Sequence, residues 1–269
     1  MGAQYDSSVS VDHTDLNTRQ GDSALLLGVS GRYRLLKSSK ANVTLGYDFD
    51  QTVYEDVSDF NLQIHSPSVS ASTQIGDATL SADYRFYHMT LGGNAFLDMH
   101  MASPALGGFV APGLFLRGAY GYTRKNFATA DKLDAETHSG DFGGWYFFNK
   151  RRAFVNLSAR FEREDAKDTA YGFNSWQAAA RVQWPLPLIN SASRIRAGFT
   201  YRTRHYLETF PSIGVARRET RYSYNLASDI PLGGGFTLRP EWRTIDRHSN
   251  YMPANYLENI ATLSFVYRR

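Results

Sequence analysis

The chain is 269 residues long with 17 Tyr, 17 Phe, 22 Gly, no Cys and a formal net charge of +3. Its mean hydropathy of −0.40 and the lack of any run approaching about 18 consecutive apolar residues exclude a helical membrane protein. The missing cysteines exclude a disulfide framework and a thiolate metal site.

Two all-β classes remain: a secreted sandwich, and a barrel in which only alternate residues meet lipid, so that mean hydropathy stays low. The basic residues are spread along the chain rather than gathered in a patch, so no nucleic-acid partner is expected. Met1-Gly2-Ala3-Gln4 carries no basic segment followed by an apolar one. An outer-membrane assignment therefore expects a leader or a whole domain upstream.

Alternation of apolar and polar residues, the strand signal, recurs from end to end. Thr14–Asp22 reads as a polar loop. Leu25, Leu27, Val29, Gly31, Tyr33 and Leu35 then oppose Ser30, Arg32 and Arg34; Val43, Leu45, Tyr47 and Phe49 oppose Thr44, Asp48 and Asp50. The pattern blurs over Phe60–Ala71, where Pro67 intervenes, and over Phe96–Leu116, which holds Pro104 and Pro112. Between them Ala78, Leu80, Ala82, Tyr84 and Phe86 oppose Ser81, Asp83 and Arg85.

The second half is more regular. Ala153, Val155, Leu157, Ala159 and Phe161 oppose Asn156, Ser158, Arg160 and Glu162; Trp176 to Trp184 oppose Gln177, Arg181 and Gln183. Ile195, Ala197, Phe199 and Tyr201 oppose Arg196, Arg202 and Arg204; Tyr222, Tyr224 and Leu226 oppose Arg221, Ser223 and Asn225, with Glu219 just before. Phe236, Leu238, Pro240 and Trp242 oppose Arg239, Glu241 and Arg243, and Ala261 to Tyr267 close the chain.

Short turns (Lys37–Lys40, Ile75–Asp77, Asn149–Arg151, Leu232–Gly235) largely alternate with longer polar stretches (Arg124–Leu133, Glu164–Tyr171, Leu207–Arg217, Arg247–Asn255), while Pro185–Leu188 forms an unusually long turn. Short periplasmic turns and longer outer loops are what a transmembrane barrel requires. The reading is an all-β, antiparallel up-and-down transmembrane barrel over residues 1–269, with about fourteen strands of roughly ten residues, twelve being the alternative. No run shows the 3.6-residue period without a Gly or Pro in it.

Which face is inside separates the membrane barrel from the sandwich. Trp176 and Trp184 bracket one strand and Tyr146 and Phe148 end another, as rings at the headgroup level would. The polar faces set bases beside acids in Asp83/Arg85, Arg160/Glu162, Glu219/Arg221 and Arg239/Glu241/Arg243, the pairing a lumen needs to limit repulsion. The lumen candidates are thus Arg32, Arg34, Asp48, Asp50, Asp83, Arg85, Arg160, Glu162, Arg181, Arg196, Arg202, Arg204, Glu219, Arg221, Arg239, Glu241 and Arg243. Guanidinium forks recognise carboxylate and phosphate, and arginine rings set anion preference in pores. Pairing with the acids as structural glue is the other reading of the same residues.

Tyr5-Asp6-Ser7-Ser8-Val9, Arg217-Arg218-Glu219-Thr220-Arg221, Ser249-Asn250 and Tyr256-Leu257-Glu258-Asn259 together resemble the barrels of the surface lipoprotein assembly modifiers. That resemblance implies a barrel of about fourteen strands behind periplasmic tetratricopeptide repeats, moving client proteins to the cell surface. The chain contains no such repeats, and it ends on Phe265-Val266-Tyr267-Arg268-Arg269; many barrels instead end on the aromatic residue that the insertion machinery reads.

The seven histidines form no metal-binding spacing, and His88 and His100 read as strand or loop residues. Gly28-Val29-Ser30-Gly31 lies in a strand pattern and Gly233-Gly234-Gly235 in a turn, so neither a nucleophile elbow nor a phosphate loop is present. No cofactor, metal or catalytic residue is expected. The leading expectation is an outer-membrane translocon or export pore for a client lipoprotein or secreted protein. The alternative is a diffusion channel preferring acidic oligosaccharides or small anions. A lipid-cleaving barrel enzyme and a soluble β-sandwich are the readings from other classes. Outer-membrane lipid and the barrel-insertion machinery are the expected partners.

Overall fold

A computed structural model describes residues 1–11, 14, 16–38, 41–187 and 192–268. The chain opens with β1 (Gly2–Asp6), followed by β2 (Asp22–Lys37), β3 (Ala41–Tyr54), β4 (Leu62–Ile75) and β5 (Ala78–Leu91). Next come β6 (Asn94–Ala111), β7 (Leu114–Phe127), β8 (Ala135–Phe148), β9 (Ala153–Ala166) and β10 (Phe173–Pro185). β11 (Arg194–Phe210), β12 (Val215–Gly233), β13 (Phe236–Ser249) and β14 (Tyr256–Tyr267) complete the set. Each strand pairs antiparallel with its chain neighbours, and β1 pairs with β14, so the 14 strands close into a barrel. Closure satisfies the backbone groups that a flat sheet would leave bare at its edges. β1 is the short member: its five residues meet Asp22–Leu26 on one side and Ile260–Ser264 on the other.

The two blurred regions resolve into ordinary hairpins. Pro67 sits inside β4 opposite Tyr47, and the pairing with β5 skips from His65 to Ser68 because proline has no N–H to donate. Pro112-Gly113 makes the β6–β7 turn. Gly113 has φ +80° and a Cβ there would lie 2.7 Å from the Phe147 carbonyl oxygen, so only glycine fits. The opening strand is shifted from the Tyr5–Val9 strand that the family resemblance implies: it ends at Asp6, and Ser7-Ser8-Val9 leave the wall.

The outer loops are shorter than the sequence suggests. β7 continues to Phe127, β11 to Phe210 and β13 to Ser249, so polar strand ends stand in for predicted loop. Of the predicted turns, Ser39, Lys40 and Leu188 lie outside the described residues. Short turns and both termini share one end, which by the length rule is periplasmic.

Four outer loops carry a short 3-10 turn: Ser58–Phe60, Asp131–Leu133, Thr169–Tyr171 and Met252–Ala254. In three of them the residue after the turn reaches back to the strand just left. Asn61 Oδ1 accepts the Tyr54 N–H (2.7 Å), Asp134 Oδ1 accepts the Phe127 N–H (2.6 Å), and Asn255 accepts the Ser249 N–H. Between loops, Lys167 Nζ donates to Asp131 Oδ2 at 2.6 Å. This hydrogen bond and charge hold the Asp131 carboxyl below the usual carboxylate range. The barrel mouth is thus framed by clasped turns.

The outward face is apolar, as a lipid-facing wall demands. Leu25, Val29, Tyr33, Val69, Leu106, Phe142, Leu157, Phe161, Leu226 and Leu263 are all exposed there. Aromatic pairs band the two ends: Phe148–Trp184 and Phe236–Tyr267 below, Trp176–Tyr201 and Tyr201–Tyr222 above. Amphipathic rings favour the two headgroup levels. The barrel is an outer-membrane barrel. His88 and His100 lie on this wall near its outer rim: His88 Nδ1 meets Asp98 Oδ1 at 2.7 Å and His100 Nδ1 meets the Tyr84 hydroxyl at 2.8 Å. Leu157, 63 % exposed, pairs with Ala180, midway between Trp176 and Trp184. Leu157→Arg is expected to cost about 2–4 kcal/mol, the penalty for a guanidinium at the bilayer midplane. Urea titration of the refolded protein in lipid vesicles measures it, and a loss below about 1 kcal/mol would place Leu157 away from lipid.

Candidate functional site: the lumen

All seventeen lumen candidates point inward, because each shares the strand parity opposite the apolar wall. Their pairing differs from the sequence reading in an instructive way. Residues two apart on one strand are farther from each other than directly opposed cross-strand residues, so partners are mostly found across strands. Arg85 reaches Asp48 (3.2 Å), which also binds Arg32 (2.8 Å), while Asp83 accepts from Ser70 (2.6 Å). Arg239 and Arg196 turn to Asp229 (2.6 and 3.2 Å), leaving Glu241 to Arg243 (3.2 Å). Arg160 does meet Glu162 on its own strand (3.2 Å), and Arg202 meets the same carboxylate at 2.5 Å. Glu219 is bound by Arg217 and by both oxygens' contacts with Arg247 (2.9 Å each).

Several members of the site escaped the sequence reading. Lys125 binds Glu164 at 2.6 Å, both buried, with the Thr137 hydroxyl on the same oxygen. Both were placed in loops, where their inward parity was invisible. Arg217 is fully buried, with Tyr206, Phe210 and Tyr251 rings 4.8, 5.3 and 5.0 Å from its guanidinium carbon. Asp229 lies beyond Leu226, where the tyrosine-rich alternation ends, yet β12 continues to Gly233. A search at period two through residues 215–233 would have included it.

The first outer loop enters the lumen. Val9 is fully buried; Ser10 Oγ donates to Glu258 Oε1 (2.9 Å), the Ser8 N–H to Asp6 Oδ1 (2.9 Å), and the Asn259 N–H to Ser7 Oγ (2.8 Å). Thr14 from this loop lines two lumenal cavities, one of about 620 Å³ and one of about 180 Å³. The smaller is walled by Arg202, Arg204, Arg221 and Arg247 with Glu219. Arg204 is shared by both cavities. Its guanidinium lies 4.4 Å over the Phe173 ring, makes no ion pair among the described residues, and leaves Nε buried without a hydrogen bond.

No protein-family model and no curated protein matches the sequence. Among solved structures the chain is similar to OmpT, an outer membrane protein of Vibrio cholerae, at TM-score 0.57 and 9 % identity, covering 99 % of this chain and 94 % of that one. It is also similar to OccK2 of Pseudomonas aeruginosa, solved in complex with glucuronate, at TM-score 0.52 and 12 % identity, covering 100 % and 96 %. OccAB3 of Acinetobacter baumannii follows at TM-score 0.51 and 11 % identity, covering 97 % and 96 %. The likeness is one of fold. The resemblance to the surface lipoprotein assembly modifiers rests on its short motifs alone.

Proposed function

We propose that the barrel is a non-catalytic channel that passes small anionic solutes across the outer membrane. Arg204 carries this reading. A guanidinium stacked on Phe173 and facing two cavities, near Glu219, Glu164 and Glu162 but in direct ion-pair contact with none of them among the described residues, can take a carboxylate or phosphate. Around it Lys125 binds Glu164, Arg202 binds Glu162, and Arg217 and Arg247 bind Glu219, while the smaller cavity is lined by four arginines and one glutamate. The paired arginines shape the passage and Arg204 meets the solute. Glucuronate in OccK2 is an acid of the class this lumen would accept. A client protein, as the lipoprotein-assembly resemblance implies, would first need the lumenal loop to leave. Lipid around the apolar wall and the insertion machinery during assembly complete the proposed partners.

The test is the reversal potential of the purified protein in planar bilayers under a potassium chloride gradient. Wild-type protein is expected to favour chloride. Arg204→Gln removes one unit charge, worth about 0.8 kcal/mol at about 5 Å in water-like screening, or roughly fourfold in anion occupancy. A wild-type channel that favours potassium, or an Arg204→Gln channel with unaltered selectivity, would overturn the reading.

A further inference from the structure

We propose that the larger lumenal cavity is a binding site for amphipathic anions, holding an aryl or short alkyl body on one side and its carboxylate on the other. The proposal rests on the reading of the lumen as an anion pathway and adds the solute class. At about 620 Å³, the cavity is within the usual range of roughly 300–1,000 Å³ for small-molecule sites.

Its lining is mixed in chemistry. Phe96, Phe127 and Leu133, with Leu16 of the first loop, are the apolar part of its lining; Arg204 is the cationic part, with Arg247 held by Glu219 and Lys125 held by Glu164 beside it. The apolar part is rigid: Phe96 and Phe127 meet edge-on at 5.7 Å above a buried cluster of Met89, Leu97 and Met99. Inward-facing hydrophobic residues are not needed to line a path for chloride or for a sugar acid. They gain only when an apolar body displaces the water over them.

The same side of the barrel carries a second inward aromatic patch near the periplasmic turns. Phe109 lies 5.3 Å from Phe115, and Phe115 lies 5.9 Å from Trp145. A solute leaving the upper cavity therefore meets a further apolar platform on β6–β8. A polar anion would leave both patches unused, and an uncharged aromatic would leave Arg204 unused.

The experiment is isothermal titration calorimetry on the full chain in lipid nanodiscs, so that binding is read whether or not ions flow. The probes are 3-phenylpropionate, gluconate and 3-phenylpropanol. Phenylpropionate is expected to bind about tenfold more tightly than either, the order gained by burying a few methylene equivalents. Leu133→Asn, in an outer turn rather than the wall, is expected to narrow the gap between the two acids. Arg204→Gln should narrow the gap between phenylpropionate and phenylpropanol. Equal affinities for the two acids in a chloride-selective wild-type channel would overturn the amphipathic site and leave the channel standing. Tight phenylpropionate binding by a barrel without chloride preference would overturn the channel and keep the site. No binding of any probe would overturn the site outright.

Discussion

Glu219→Ala is expected to destabilise the barrel by about 3–5 kcal/mol, the cost of breaking a buried ion pair from one side. The carboxylate is 4 % exposed and binds Arg247, at 9 %, and Arg217, at 0 %. Arg217 has Tyr206, Phe210 and Tyr251 around it, so its charge cannot swing into water once Glu219 is gone. Glu219→Gln, which keeps an acceptor, should lose less. Equilibrium urea unfolding in lipid vesicles, followed by tryptophan fluorescence, gives both values. A loss below about 1 kcal/mol would mean that water reaches the cluster and the pair behaves as a surface ion pair.

Replacing the first outer loop by a short Gly-Ser link from Ser7 to Gly21 is expected to raise single-channel conductance several-fold. Thr14 of this loop lines both cavities, Val11 the smaller and Leu16 the larger. The loop is held down at its N-terminal root by Ser10–Glu258, Ser8–Asp6 and Asn259–Ser7. Removing it leaves the strand ladder intact, because no strand residue is deleted. Glu258→Ala, which frees Ser10, should move conductance in the same direction by a smaller factor. Unchanged conductance in the shortened channel would mean that the loop does not narrow the ion path. A large opening would instead make the passage of an extended client segment testable with the same variant.

The two predictions depend on different kinds of information. That Glu219 faces inward follows from parity along β12 and is legible from residues alone. That it holds Arg247 is not, since the partner lies 28 positions away on β13 and register across a hairpin depends on its turn. The same holds for Asp229, which gathers Arg194, Arg196 and Arg239 from the two neighbouring strands. It holds too for the clasped outer turns, whose shared Asn or Asp is spaced six or seven residues from the backbone N–H that donates to it and lies in segments without a period. The first loop was legible as polar chain, but its descent into the lumen was not.

By itself the sequence determined the class of the fold, a count of about fourteen strands with twelve left open, and the shared strand parity of the lumen candidates. Alternation is a local property, and each strand carries it without reference to any other. The outward direction of the greasy face was legible from the tyrosines and tryptophans at strand ends. Only the tertiary structure decided which charges neutralise one another, that Arg204 stacks on Phe173, and that a loop and an apolar cluster share the lumen with the arginines. Those outcomes depend on stagger between strands and on the reach of side chains across the barrel, distances that no single strand encodes.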